Sequence, residues 1–270
     1  MRKIVITSGK GGVGKSVVAV NLGLALNHYG RQVILVDGSF AFPHIGLMLG
    51  KSNFEETILS AIEGKKSMKD IVYKHQTGLR IIPGNISLEH LHKKDIKKFT
   101  TLIDDLKEYC EVALIDTTSG VHIDTLETIR IADDIILVTT PDFVSVTETL
   151  RMLKVIRQNL NVSHILGIIV TQHMHKEHDM TIENIQMLTD EKVIGVIPYH
   201  VHVKESLKLK HPVLYSHPSS SVSESFERVA CNLIGKTYVE KEVTKTKTEE
   251  VMEKLGLKKW YETIMKEADN

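Results

Sequence analysis

Short apolar runs alternate with helix-period segments from the first residues to about residue 238. The runs Ile4–Thr7, Val33–Val36, Leu79–Ile82, Val112–Ile115, Ile135–Thr139, Ile165–Val170 and Val193–Ile197 predict strands. Each is rich in Val and Ile and lacks clean alternation, the pattern of strands covered on both faces. Helices are predicted over Ser16–His28, Phe54–Glu63, Lys94–Glu108, Ile123–Ala132, Ser145–Leu160, Thr181–Leu188 and Ser221–Tyr238. Strand–helix alternation with right-handed crossovers makes a doubly wound, mostly parallel α/β sheet.

The pattern then changes. Val239–Glu250 is almost wholly Glu, Lys, Thr and Val with no apolar face, and reads as a polar linker. After it, Leu257, Trp260, Tyr261, Ile264 and Met265 fall at i, i+3, i+4, i+7 and i+8, one narrow apolar helix face. The expected organisation is a domain over 1–238, a linker over 239–250 and a C-terminal amphipathic helix over 251–270.

Composition narrows the class. Aromatics are only 5%, so the core must be built from Val, Ile and Leu. Basic and acidic residues balance at 34 each, so no global positive field recruits nucleic acid or anionic lipid, and a nucleic-acid partner is not expected. Cys110 and Cys231 are isolated in apolar patterns and read as buried thiols of a reducing compartment. No apolar stretch approaches the ~18 residues of a membrane span, and no signal peptide is legible, so a cytoplasmic location is expected.

The strongest chemical signal is Ser8-Gly9-Lys10-Gly11-Gly12-Val13-Gly14-Lys15-Ser16, between the first strand and the first helix. It satisfies the phosphate-loop pattern, with Gly9 and Gly14 as its fixed glycines. Glycines let successive N–H groups face one point at a helix N-terminus, an anion nest. Lys15 is placed to reach the β- and γ-phosphates, and the Ser16 hydroxyl to ligate Mg²⁺.

The second lysine, Lys10, makes this loop resemble the deviant Walker A of the MinD/ParA ATPases, a similarity that runs in motif order over roughly residues 1–235. The resemblance implies ATP with Mg²⁺, and an ATP-dependent homodimer in which Lys10 crosses to the partner's nucleotide. It assigns catalytic positions to Lys10, Lys15, Asp37 and Ser39, and metal-holding ones to Ser16, Asp37 and Asp116. Asp116 ends the apolar Leu114-Ile115 strand with the Walker B geometry. Gly120 matches the switch II glycine whose N–H can meet the γ-phosphate. Thr171, Gln172, Pro198, Tyr199 and His200 match the loops that border the base, and Asp142 and Ser145 also fall at family positions.

Departures qualify the activity. The family usually carries Asp-x-Asp at the end of the second strand, but here the triplet is Asp37-Gly38-Ser39. A serine can hold water but cannot supply a carboxylate's charge, so slow or rewired hydrolysis is expected. Switch II, Asp116-Thr117-Thr118-Ser119-Gly120, lacks its usual proline. An Asn-Arg pair normally lies beside the purine where Thr171-Gln172 stands, so ATP over GTP rests on the resemblance alone.

Three surface features stay open in the sequence. His173-Met174-His175-Lys176-Glu177-His178-Asp179 has spacing suited to zinc, or is a solvated loop. Lys204, Lys208, Lys210 and His211 form a basic stretch that either neutralises nucleic-acid phosphates or simply faces solvent. The C-terminal helix resembles the membrane-targeting helix of MinD proteins, yet could equally pack on a partner protein or its own domain. The expected protein is a MinD-like ATP-dependent switch that positions a partner, with peripheral membrane association as one option. The alternatives are a catalytically impaired nucleotide-binding scaffold and a ParA-type DNA partition ATPase. An iron–sulfur carrier of related fold is disfavoured, because the chain has no Cys-x-x-Cys.

Overall fold

The computed structural model describes residues 1–39, 43–84, 93–159, 164–174 and 179–239. Met1–Thr237 form one compact unit. Its elements in chain order are β1 (Arg2–Thr7), α1 (Lys15–His28), β2 (Val33–Gly38), α2 (Ile45–Met48), α3 (Ile58–Ile62), β3 (Tyr73–Lys74), β4 (Arg80–Ile82) and α4 (Lys93–Leu102). There follow β5 (Val112–Thr117), α5 (Ile123–Arg130), β6 (Asp134–Thr139), α6 (Phe143–Asn159), β7 (Ile165–His173), α7 (Ile182–Thr189), β8 (Val193–Pro198), α8 (Val201–Leu209), α9 (Val213–Ser216) and α10 (Ser221–Leu233). The sheet order is β3-β4-β2-β5-β1-β6-β7-β8, parallel throughout except for β3.

The unalternating strands have a simple cause. Ile4 and Ile6 of β1, Val33 and Leu35 of β2, and Ile136 and Val138 of β6 enter a core shared with α1, α9 and α10. Their neighbours Val5, Ile34, Val36, Ile135 and Leu137 enter a second core with α3, α4, α5, α6 and α7. With side chains alternating between two cores, every position along a strand must be apolar. α1 is buried almost all round, from Val18 to Leu26, because it lies between the sheet and α10.

All seven predicted strands form; the differences lie in short elements and helix ends. β3 is too brief to show a period, and pairs antiparallel with β4 across a turn closed by Gly78 at φ 86°. The helix predicted over Phe54–Glu63 begins only at Ile58, where the Thr57 N–H donates to Ser60 Oγ at 3.3 Å, a start signal just ahead of the apolar run. Phe54 instead packs edge-on against Tyr73, with ring centroids 5.5 Å apart. The segment predicted as one helix over Lys94–Glu108 tightens into a 3₁₀ turn from Ile103. α10 ends five residues before Tyr238. Gly235 takes φ 68° there, and the Lys236 N–H closes on the Cys231 carbonyl at 2.9 Å. Among the described residues no helix is long and apolar enough to cross a membrane. The predicted linker beyond Val239 and the C-terminal helix over 251–270 lie outside the described residues.

Candidate nucleotide site

Ligands of open α/β sheets gather at the carboxyl ends of the strands, and the candidate residues meet there. β1 runs out into the glycine loop, β2 and β5 end side by side with Asp37 in register with Asp116, and β7 ends at Thr171-Gln172-His173. The loop is held from two sides. At Gly9 a Cβ would stand 2.2 Å from the Glu148 carbonyl oxygen, so only glycine lets the loop pass α6. On the other side, the Thr171 hydroxyl donates to the Val13 carbonyl, and Gln172 Nε2 donates to the Gly12 carbonyl at 3.0 Å. Gly12 and Gly14 take φ 80° and 84°, the left-handed turns that aim loop amides outward at the start of α1. A Cβ on Gly11 or Gly12 would meet open space, so the cradle is accessible.

At the centre, Lys15 Nζ lies 2.6 Å from Asp116 Oδ1, and Ser16 Oγ donates to Asp116 Oδ2 at 2.6 Å. Asp116 is fully buried and Lys15 nearly so. Asp37 is buried beside them, and accepts from the N–H groups of Ser39 at 3.2 Å and Ile45 at 3.1 Å. Burial, and then the Asp116 charge, push the Asp37 carboxyl up to about 7, against the pull of those two N–H groups and Lys15. Burial and the neighbouring Asp116 charge both disfavour an ionised Asp37, and a divalent cation at this spot would offset both. Two carboxylates and the Ser16 hydroxyl are the hard oxygen donors that Mg²⁺ takes. The residues fit the ion.

Ser39 is buried at the end of β2. Lys10 is turned onto its own subunit, with Nζ donating to Ser145 Oγ at 3.2 Å and lying 3.7 Å from Asp142 Oδ1. Burial raises the Asp142 carboxyl, but hydrogen bonds from Thr140 and Ser145, aided by the Lys10 charge, outweigh it and hold it down at about 2. Asp142 is therefore a permanent anion facing Lys10, an arrangement the motif alone did not reveal. The Gly120 N–H donates to the Ser8 carbonyl at 2.7 Å in this conformation, so it must turn before it can meet a phosphate. Thr171 and Gln172 act through the loop carbonyls, and Gln172 takes φ 55°, which no sequence pattern signalled.

Pro198, Tyr199 and His200 line a mainly apolar cavity of about 240 Å³ with Val17, Val203 and Leu207. It opens directly beside Gly12 and Gly14, where a planar base would sit relative to phosphates on the loop. Of the histidine-rich segment, His173 is buried at the end of β7, while residues 175–178 lie outside the described residues. The basic stretch lies on α8 and just after it, and one member is already engaged: Lys204 Nζ donates to Tyr199 Oη at 2.8 Å.

A glycine nest at a helix start, a buried lysine–aspartate–serine group and an apolar slot beside them define a P-loop nucleotide-binding protein. The family model described as the CobQ/CobB/MinD/ParA nucleotide binding domain matches residues 4–213. The chain belongs to this family, as a MinD/ParA-type P-loop ATPase. The septum site-determining protein MinD of Pyrococcus horikoshii, solved with Mg-ADP, superposes with a TM-score of 0.79 at 30% identity, covering 86% of this chain and 95% of that one. An uncharacterized ATP-binding protein of Methanocaldococcus jannaschii is 28% identical over 235 residues, 87% of this chain and 88% of its own. The antiactivator FleN of Pseudomonas aeruginosa is 28% identical over 236 residues, 84% of each.

Proposed function

We propose that this chain binds ATP with Mg²⁺, dimerises around the nucleotide, hydrolyses it slowly and uses the two states to position a partner in the cell. The observation that carries this reading is the buried group Lys15–Asp116–Ser16 under the glycine loop. It holds in one place the cation for the phosphates and the oxygen donors for the metal. When bound, Mg²⁺ supplies charge neutralisation across the phosphates. Lys15 leaves Asp116 and reaches the phosphates, while the loop amides bind their oxygens. The apolar slot at Pro198 and Tyr199 takes the base. The Mg-ADP in the Pyrococcus MinD structure supports the same ligand class here, and the name of that relative supports a role in placement.

Ser39 favours a second reading, a nucleotide-stabilised scaffold, because it offers no charge to orient attacking water. The two readings separate on turnover. Wild-type phosphate release is expected to be very slow, and Ser39→Asp to raise it several-fold. A fast wild-type rate would move the task to another carboxylate, such as Asp142 or Glu148.

We further propose that the segment 251–270, which the sequence predicts as an amphipathic helix, docks on a membrane or a protein when ATP pairs two chains. A single apolar face of five large residues binds weakly, roughly 25 cal/mol per Å² buried. Two faces on one dimer gain about a hundredfold through effective concentration. Liposome flotation and pull-down with ATP-loaded protein are expected to show binding that Trp260→Glu abolishes. If ATP and that substitution change neither, the helix is no docking device.

A further inference from the structure

A second group of ligand-type side chains lies outside the phosphate site, where α8 meets the end of α9. One ring nitrogen each of His202 and His217 and a carboxylate oxygen of Glu205 lie within 4.8 Å of one another. His202 and Glu205 share a face of α8 at i, i+3, and His217 follows the last turn of α9. We propose that His202, Glu205 and His217 bind one divalent transition-metal ion of the zinc class, which ties α8 to α9.

The hydrogen bonds around His217 carry the argument. Ser216 Oγ lies 3.1 Å from the Pro212 carbonyl and 3.0 Å from His217 Nδ1, and in the tautomer where the hydroxyl donates to the carbonyl it accepts from Nδ1–H. In the neutral ring that leaves the Nε2 lone pair pointing at Glu205 Oε2, 3.3 Å away. Two electron pairs face each other there, and only a proton or a metal ion between them makes the contact favourable. A hydrogen bond on the far nitrogen is also how proteins orient a metal-binding imidazole. The spacing suits an ion: ligand bonds of about 2.0–2.2 Å in a tetrahedron put ligand atoms roughly 3.3–3.5 Å apart.

His202 Nε2 stands 4.0 Å from the same Glu205 oxygen, and its buried Nδ1 has no hydrogen-bond partner among the described residues. Its ring stacks on His217 with centroids 4.1 Å apart and planes 13° apart, so the two rings must tilt out of the stack for both in-plane lone pairs to meet one ion. His200 is adjacent but committed elsewhere, since its Nδ1 accepts the His202 N–H at 3.2 Å and caps α8. The set is therefore two imidazoles and one carboxylate, with a fourth position for water. Imidazole nitrogen selects zinc-class ions over Mg²⁺, which prefers oxygen in an octahedral shell.

Equilibrium dialysis of the full chain against Zn²⁺ in millimolar Mg²⁺ tests this, with metal content measured per chain. Excess Mg²⁺ competes with zinc for the oxygen site near Asp37 and Asp116. The expected result is one Zn²⁺ per chain, a raised thermal midpoint, and Co²⁺ absorption bands in the visible range. His217→Ala and Glu205→Gln are each expected to weaken binding at least about tenfold and to abolish the zinc-dependent thermal shift. A variant with His173, His175 and His178 all changed to Ala should keep the full equivalent. The inference is overturned if wild type takes up no zinc. It is equally overturned if the triple variant loses the metal while His217→Ala retains it. Should His217→Ala fold poorly, His202→Asn gives the same reading.

Discussion

Lys15→Ala is expected to lower Mg·ATP affinity by at least tenfold, measured by calorimetry, and to lower thermal stability as well. The binding loss follows from removing the cation opposite the phosphates: a hydrogen bond to a charged group contributes about 1.5–3 kcal/mol, or roughly 10- to 150-fold. The stability loss follows from the contacts Lys15 makes within the chain. Lys15 is the ion-pair partner of Asp116, which is fully buried beside Asp37. Deleting one member of a buried pair typically costs about 3–5 kcal/mol, because the remaining charge has no compensation. The two effects can be separated. Adding Asp116→Asn to Lys15→Ala removes the stranded charge, so the thermal midpoint should recover while nucleotide binding stays lost. Unchanged affinity in a folded Lys15→Ala protein would refute the phosphate-loop assignment.

The sheet and the phosphate loop were legible in the sequence because each rests on a local rule. Seven strands announce themselves through short apolar runs rich in Val and Ile, since their side chains enter two cores in turn. The loop announces itself through its fixed glycines, of which Gly9, against Glu148, has no room for a side chain. What the sequence hid depends on distant partners. Lys10 is a motif residue, but its seat on Ser145 and Asp142 joins positions 132 and more residues apart. The histidines show the same limit. The dense run from His173 to Asp179 draws the eye, whereas His202, Glu205 and His217 are scattered along α8, a turn and α9. They converge because Lys210 takes φ 58° at the end of α8 and reverses the chain. Density along a chain does not imply convergence in space. Helix ends failed for a smaller reason: the stop at Gly235 and the start at Thr57 are punctuation, and apolar periodicity ran past both.

Lys10→Ala is expected to abolish ATP-dependent dimerisation while leaving nucleotide binding by the single chain within a few-fold of wild type. The side chain of this lysine does not shape the loop: its ammonium rests half-exposed against Ser145 and Asp142. A half-exposed ion pair of this kind is worth only about 0–1 kcal/mol, so little opposes its release. Between two subunits it would meet a phosphate in a site shielded from water, where one charged hydrogen bond contributes about 1.5–3 kcal/mol. Symmetry doubles the count. Losing both lysines should weaken the dimer by roughly 3–6 kcal/mol, or about 10²- to 10⁴-fold. That is enough to leave only monomer at micromolar concentrations in light scattering with a nonhydrolysable ATP analogue. Asp142→Ala should act in the opposite sense, since it frees Lys10 on both chains and lets the dimer form at lower concentration, by up to about thirtyfold for two such pairs. A Lys10→Ala protein that still pairs on addition of the analogue would show that dimerisation does not run through this residue, and the proposed two-state switch would lose its trigger.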